Sequence, residues 1–325
     1  MVTRRRLIVS GASLGLMGSS AWISAQNAEF PNRPIKIVVP FAAGGGGDVI
    51  ARIVGQKLST RVGQSVIVEN RTGAGGTVGS AYVLKSPPDG YTLLNMSVTY
   101  AIQAAISELS FDPVLDMQPI IMMAQTPLVL LVNNASPFQN AQDLVRAAKL
   151  KPEVYTHGSA GVGSIAHLSV EELAYLAGVR LMHIPYKGSS QAMNDLLGGT
   201  LDLVMSSGAF VAPYVKSGRA RALGIAGQKR LAILPEVPTF EEQGIANFNV
   251  FDNKSIGGPR GIPAETVEYL NKNIYETLME PSVFDRLASE GTFVVGGSPQ
   301  DMMKHVVADI ERWKNIIKNA GIKIQ

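Results

Sequence analysis

Apolar residues fall in short runs along this chain, and the residues between the runs separate strands from helices. Ile35, Ile37, Val38, Val39 and Phe41 form a buried-strand signal. Glycines occupy every position from Gly44 to Gly47, and from Asp48 onward Val49, Ile50, Ile53, Val54 and Leu58 recur on one helical face. Asp48 suits the positive end of a helix starting there. Residues 35–53 therefore read as strand, bare loop and helix. Such a turn leaves backbone N–H groups open to an anion, although a tight turn that binds nothing can use the same residues.

The pattern then repeats. A strand at 65–68 runs into Glu69 and Asn70, followed by a second glycine-rich turn at 72–76 and a helix over 77–85. The turn at 87–90 precedes a strand at 91–94, which opens onto a polar stretch containing Ser97. Residues 128–132 are a fully apolar strand, and a helix with Leu144, Val145 and Ala148 on its buried face starts near Asn140 and Asp143. A third small-residue loop, His157 to Ser164, opens another helix. Strand 180–184, the turn through Tyr186 and Lys187, helix 189–197, strand 201–205 and strand 221–226 complete an alternation that predicts a parallel α/β sheet. In an open parallel sheet, ligands sit at the carboxyl ends of the strands. The tail reads as strand 248–256, a helix from Pro263, strand 292–295 and a last helix. Ser298 caps that helix, Pro299 opens it, Met303, Val306, Ile310, Trp313 and Ile317 form its buried stripe, and Gly321 ends it.

Composition narrows the function. With 325 residues and 46% hydrophobic content, the chain can bury a large core and reads as two domains. Three of its 29 basic residues are Arg4, Arg5 and Arg6, and the remaining 26 balance 26 acidic residues. The basic cluster precedes an apolar, small-residue stretch, so residues 1–25 read as an export signal cleaved after Ala25, by the general or the twin-arginine route; an uncleaved anchor is the alternative. Balanced charge without a basic, aromatic-interleaved run argues against nucleic acid. Cysteine is absent, which excludes thiol nucleophiles and thiolate metal sites. Four histidines (His157, His167, His183, His305) without a His-Glu-x-x-His run offer little to a metal.

Enzyme motifs fit poorly. Gly44-x-Gly46-x-x-Val49, with Glu69 on the next strand, imitates a dinucleotide fingerprint, but Val49 replaces the third glycine and Asp48 sets a negative charge where a pyrophosphate would dock. No Gly-Lys-Ser/Thr closes the glycine run as a P-loop requires, and Gly158-Ser159-Ala160-Gly161 is not a nucleophile elbow. His167, between Ala166 and Leu168, reads as a structural histidine, and the turn at Tyr186 can be only a turn.

Several runs together carry a resemblance. Pro40-Phe41-Ala42-Ala43-Gly44-Gly45, Val68-Glu69-Asn70-Arg71-x-Gly73-Ala74-Gly75-Gly76, Pro88-Asp89-Gly90-Tyr91-Thr92-Leu93, Gly158 to Ser164 and Pro185-Tyr186-Lys187-Gly188 resemble, in order and spacing, the receptors of tripartite tricarboxylate transporters, the Bug family. Leu196-Leu197-Gly198-Gly199, Leu234 to Thr239 and Gly258-x-x-Gly261-Ile262-Pro263 extend the likeness over nearly all of the chain after the export signal. The resemblance implies a two-lobed, type II-like periplasmic binding protein, each lobe a mainly parallel sheet flanked by helices. It also implies two strand crossovers at a hinge, which map onto 128–132 and 221–226. Lobe 1 is then 26–130 plus 227–325, and lobe 2 is 131–226.

Such receptors clamp a small organic carboxylate without catalysis or cofactor and hand it to membrane transporter subunits. Implied ligand contacts are Ala43, Gly44, Gly45, Gly46, Asp48 and Ser97 on one side and Ser159, Gly161, Ser164, Tyr186 and Ser206 on the other, in a protein expected to be monomeric and periplasmic. The chain departs from the family at Ala42 and Gly47, where proline and threonine are common. It departs again at Met205-Ser206-Ser207, where relatives commonly carry Phe-Asp-Asn. Without that acid, a buried ligand ammonium lacks its counter-charge. The expected ligand is therefore a dicarboxylate, hydroxy acid or aromatic acid rather than an amino acid. A receptor feeding a sensor kinase and an NAD(P)-dependent oxidoreductase are the alternatives.

Overall fold

The computed structural model describes residues 30–322 apart from Ala42, Gly45, Lys187 and Ala320. The expected export signal at 1–25 and the expected ligand contact Gly45 lie outside the described residues.

The first sheet grows from β1 (Ile35–Val39), which pairs in parallel with β2 (Val66–Asn70) and β3 (Thr92–Ser97). Apart from Lys36, whose ammonium pairs with Glu69 at 2.7 Å, strand β1 is apolar because both of its faces are covered. Ile35, Ile37 and Val39 pack with Ile50, Val54 and Leu58 of α1 (Gly46–Val62), whereas Val38 faces the opposite cluster with Val83 of α2 (Thr77–Leu84) and Ile102 of α3 (Val98–Ile106). Helix α1 starts at Gly46, two residues before the position that its apolar periodicity indicated.

One long strand, β4 (Met117–Asn133), organises the rest. Its first part belongs to the first sheet and its last part, from Leu128, to a second sheet. The second sheet contains α4 (Ala141–Leu150), β5 (Thr156–Ser159), α5 (Ile165–Ala177), β6 (Met182–Pro185), α6 (Ser189–Gly198), β7 (Leu203–Ser207), α7 (Gly208–Lys216) and β8 (Ala220–Ala226) in chain order. Within it, β6, β5 and β7 run parallel, while β7 and β8 flank β4 antiparallel. Leu128, Leu130 and Val132 of β4 face α4 and α5, and Val129 and Leu131 face α6 and α7.

After β8, residues 227–250 stay on the second sheet. Ile225 exchanges backbone hydrogen bonds with Pro238 and Phe240, and Leu231, Leu234 and Val237 join the cluster around Val129. The chain re-enters the first sheet with β9 (Phe251–Pro259), which lies antiparallel between β3 and β4. Then follow α8 (Ala264–Leu278), α9 (Pro281–Ser289), β10 (Phe293–Gly296), antiparallel to β4, and α10 (Pro299–Asn319).

Each sheet is thus mixed. A parallel triplet comes from the local strand–helix alternation, and antiparallel strands join it where the chain passes between lobes. The two passages lie side by side, with Pro127 opposite Phe251 and Leu128 N–H bonded to the Val250 carbonyl at 3.2 Å.

Helix α10 packs against both lobes. Its buried residues are Met302, Val306, Ile310, Trp313 and Ile316, while Met303 and Ile317, expected in the stripe, pack at its margin. Arg312 donates to both carboxylate oxygens of Glu172 on α5, at 2.7 and 2.8 Å, and to the Asn249 carbonyl at 2.7 Å. Burial pushes the Glu172 carboxyl up, and Arg312 opposes the shift.

Candidate ligand cavity between the lobes

At the end of β1 the chain turns through Gly44, whose φ of +84° suits glycine. The turn is held from within by Asp48, which is 4% exposed. Gly44 N–H donates to Asp48 Oδ2 at 2.9 Å, Arg52 Nε to the same oxygen at 3.0 Å, and Asn70 Nδ2 to Oδ1 at 2.9 Å. The Arg52 hydrogen bond, with those from Gly44 and Asn70, lowers the Asp48 carboxyl to about 2 against the effect of burial. Asp48 and the Gly44 amide therefore satisfy each other. The first amides of α1, which have no partner inside the helix, remain for a ligand.

Those amides border a cavity of about 360 Å³. Gly44, Gly46, Val49 and Ile50 line one wall, and Ser207, Ala209 and Phe210 at the β7–α7 junction line another. The floor is made by β9, through Asp252 and Lys254, and the remaining wall by Leu287, Glu290 and Thr292, with Thr126 beside Thr292. Lys254 is 6% exposed and pairs with Asp252 Oδ2 at 2.5 Å. Its stem passes under the start of α1, since a Cβ added at Gly46 would lie 3.9 Å from Lys254 Cε. The ammonium is neutralised by Asp252, so what it and the helix N-terminus offer an anion is a set of N–H donors rather than net charge. Ser207 is the N-cap of α7 but makes no side-chain cap bond, so its hydroxyl remains free to meet a ligand.

Of the residues singled out from sequence, Gly44 and Gly46 border this cavity. Ala43 is an exposed turn residue and Asp48 lies behind the loop. Ser97 caps α3 by accepting the Thr99 N–H at 3.3 Å. Ser206 is half-buried on β7 opposite Val129, and Ser207, one residue on, faces the cavity. The Tyr186 hydroxyl donates to Asp195 at 2.8 Å; burial and then Asp195 push its pKa up to about 12.

The loop from Ser159 to Ser164 is closed on itself. Ser159 Oγ donates to the Gly161 carbonyl (2.9 Å), accepts the Gly161 N–H (3.1 Å) and lies 2.6 Å from His183 Nε2. Ser164 Oγ donates to the same carbonyl at 2.7 Å and caps α5. Behind the loop His157, His167 and His183 stack, with centroids 3.8 Å apart for His167 and His183. His167 Nδ1 accepts the Gly163 N–H at 3.2 Å. Burial, helped by the neighbouring imidazoles, lowers His167 to about 4 and His183 to about 3, while Glu171 partly opposes the shift at His167. Among the described residues no group of three or more His, Asp or Glu is arranged to hold a metal ion.

Lys254, Asp252 and Glu290 were not anticipated from sequence, and they bring carboxylates to the cavity although none stands at 205–207. The signal was Asp252-Asn253-Lys254 inside an otherwise apolar central strand, where buried charge is rare unless paired.

Two sheets joined by adjacent crossing strands, with a polar cavity at the amide end of a strand–loop–helix unit, define the two-lobed periplasmic binding class. Residues 50–322 match the family model described as tripartite tricarboxylate transporter family receptor, and the chain belongs to this family of solute receptors, which are not enzymes. It is 36% identical over 315 residues to the protein of the tcbD-tcbE intergenic region of Pseudomonas sp., covering 96% of this chain and 94% of the relative. With Protein BugT of Bordetella pertussis it shares 32% over 324 residues, 99% of each.

Solved structures agree with this assignment. An R. palustris protein described with adipate is 34% identical (TM-score 0.83; 90% of this chain, 99% of that one). The periplasmic binding protein BugD is 31% identical (0.80; 91% and 100%). MatC from Rhodopseudomonas palustris, with bound malate, is 29% identical (0.79; 89% and 100%). No helix among the described residues is long and apolar enough to cross a membrane.

Proposed function

We propose that this protein is exported, loses residues 1–25, and as a periplasmic monomer binds a small dicarboxylate, hydroxy acid or aromatic acid. It delivers this acid to tripartite tricarboxylate-type transporter subunits. Lobe 1 is 26–130 with the C-terminal part of the chain and lobe 2 is 131–226, but 227–250, expected in lobe 1, lies along the second sheet and goes with lobe 2, because the chain crosses back only at 250–251. The observation that carries the reading is the cavity itself: both lobes line it, the start of α1 and Lys254 offer it N–H donors, and its volume suits a ligand of a few carbon atoms. Relatives described with adipate and malate support the ligand class. An α-amino acid is disfavoured on a revised ground. Its ammonium would have to approach Asp252, and there it meets Lys254.

Calorimetric titration with a panel of such acids, alongside succinate against aspartate, tests this reading. A ligand at about 100 times its dissociation constant adds roughly 2.7 kcal/mol of stability, readable as a melting shift of several degrees, whereas NAD gives none. Tighter binding of aspartate than succinate overturns the ligand class. Intact-mass measurement of periplasmic protein tests the start near Gln26, and retention of Met1 in a soluble cytoplasmic product overturns export.

A further inference from the structure

Resting on the reading of this cavity as a carboxylate site, we infer that the Lys254–Asp252 pair is its specificity determinant and selects a carboxylate bearing a hydroxyl on the adjacent carbon. Lysine ammonium carries three N–H donors, and Asp252 Oδ2 lies beside it as an ion-pair partner at 2.5 Å. Its donors are available to a ligand carboxylate that also reaches the first amides of α1, because Lys254 Cε lies 3.9 Å from where a Cβ at Gly46 would stand. Asp252 Oδ1 has no hydrogen-bond partner among the described residues, and Asp252 lines the same cavity. It is an acceptor set next to a donor, and a 2-hydroxycarboxylate presents the complementary pair: carboxylate to Lys254, hydroxyl proton to Asp252.

Neighbouring chemistries fit less well. A plain carboxylate leaves Asp252 Oδ1 facing a C–H group, which loses a charge-assisted hydrogen bond. A 2-amino acid offers a donor, but an ammonium against Asp252 is also against Lys254, and like charges at that separation oppose each other; the cavity's other carboxylate, Glu290, is already paired with Arg286 at 3.4 Å. Hydroxyl is the one of the three that donates without adding positive charge. Ser207 across the cavity, with its hydroxyl uncapped, is placed to meet a further polar group of the ligand.

The experiment uses matched pairs that differ only in the 2-substituent, malate with succinate and mandelate with phenylacetate, plus aspartate, titrated calorimetrically into the full mature protein. We expect the hydroxy member of at least one pair to bind tenfold or more tighter than its partner, and aspartate to bind more weakly than malate. Asp252→Ala should reduce the hydroxyl preference to twofold or less. Lys254→Met should weaken both members of the pair by tenfold or more. Asp252→Asn, close in shape, keeps the test intact if the alanine variant does not fold, and should also reduce the preference.

Equal binding of both members, a hydroxyl preference that survives Asp252→Ala or Asp252→Asn, or aspartate tighter than malate each overturns the inference while leaving a carboxylate receptor standing. Absence of binding by every acid overturns the carboxylate reading and the inference with it.

Discussion

Two turns in this molecule look alike in sequence and are held in opposite ways. Both the turn before α1 and the turn before α5 join a strand to a helix through glycines and small polar residues. In the first, a single buried carboxylate, Asp48, takes up the Gly44 amide and leaves the start of α1 facing the cavity. In the second, Ser159 and Ser164 converge on the Gly161 carbonyl, and His167 takes the Gly163 amide, so the polar atoms answer one another. A small-residue turn is thus only a permissive backbone. Whether it binds depends on which side chains reach it from elsewhere in the fold.

The largest effect that would break this comparison is expected from Asp48→Ala. It leaves Arg52, Asn70 and the Gly44 amide without their common acceptor, and because Arg52 is half exposed the cost is roughly 2–3 kcal/mol, measurable by urea denaturation. Affinity for the tightest acid of the panel should fall with it as the loop loosens. Next, Gly46→Val sets two methyl groups between the first amides of α1 and Lys254. It should weaken that acid about tenfold, near 1.4 kcal/mol, with stability changed by under about 1 kcal/mol.

Ser159→Ala is the counter-experiment. Removing a hydroxyl with three contacts should cost about 1 kcal/mol of stability, yet leave affinity within twofold. A tenfold loss would show the second turn to be part of the site after all. The smallest effect belongs to Tyr186→Phe, which removes one exposed hydrogen bond to Asp195. About 0.5 kcal/mol and unchanged binding are expected.

Acid should separate the two turns without mutation. His167 and His183 have folded values below the unfolded value of about 6.5, so the unfolded chain binds more protons as pH falls. Their contribution is complete above about 6.5 and is lost on descending toward 4 and 3. Asp48 is also depressed. Its contribution is present above the unfolded carboxylate value of about 3.9 and is lost as pH falls toward about 2. Hydrogen exchange followed by mass spectrometry between pH 7 and 4 should therefore show, after correction for intrinsic rates, protection lost first around Gly161 and Gly163, with the turn at Gly44 retained. The reverse order would contradict the assignment.

Strands and helices with strong local periodicity were legible from the chain. Strand β1 with α1, β2, α6, β8 and α10 lie within a few residues of their expected positions, because burial of one or both faces writes itself into spacing. Helices α3, α7 and α9 and the first part of β4 were not anticipated. Strand β4 is the instructive case: residues 117–127 mix prolines, methionines and glutamine with aliphatics. They are a strand only because β9 and β10 hydrogen-bond to both sides. Ser97, Ser164 and Tyr186 were visible as polar positions, and the fold adds that Ser97 and Ser164 cap helices and that Tyr186 bonds Asp195, partners that spacing alone does not reveal.

By itself the sequence determined the alternation of elements, the glycine turn and the family, since these rest on local periodicity and on ordered short motifs. Only the tertiary structure decided where the cavity lies and what lines it. Asp252 and Lys254 come from a strand about two hundred positions beyond the glycine turn, Glu290 and Thr292 from the segment joining α9 to β10, and Ser207 from the other lobe. The chain must cross between lobes twice before these groups meet. Long-range backbone pairing of β4 with β9 brings them together, and one-dimensional spacing carries no record of a register fixed by hydrogen bonds between distant strands.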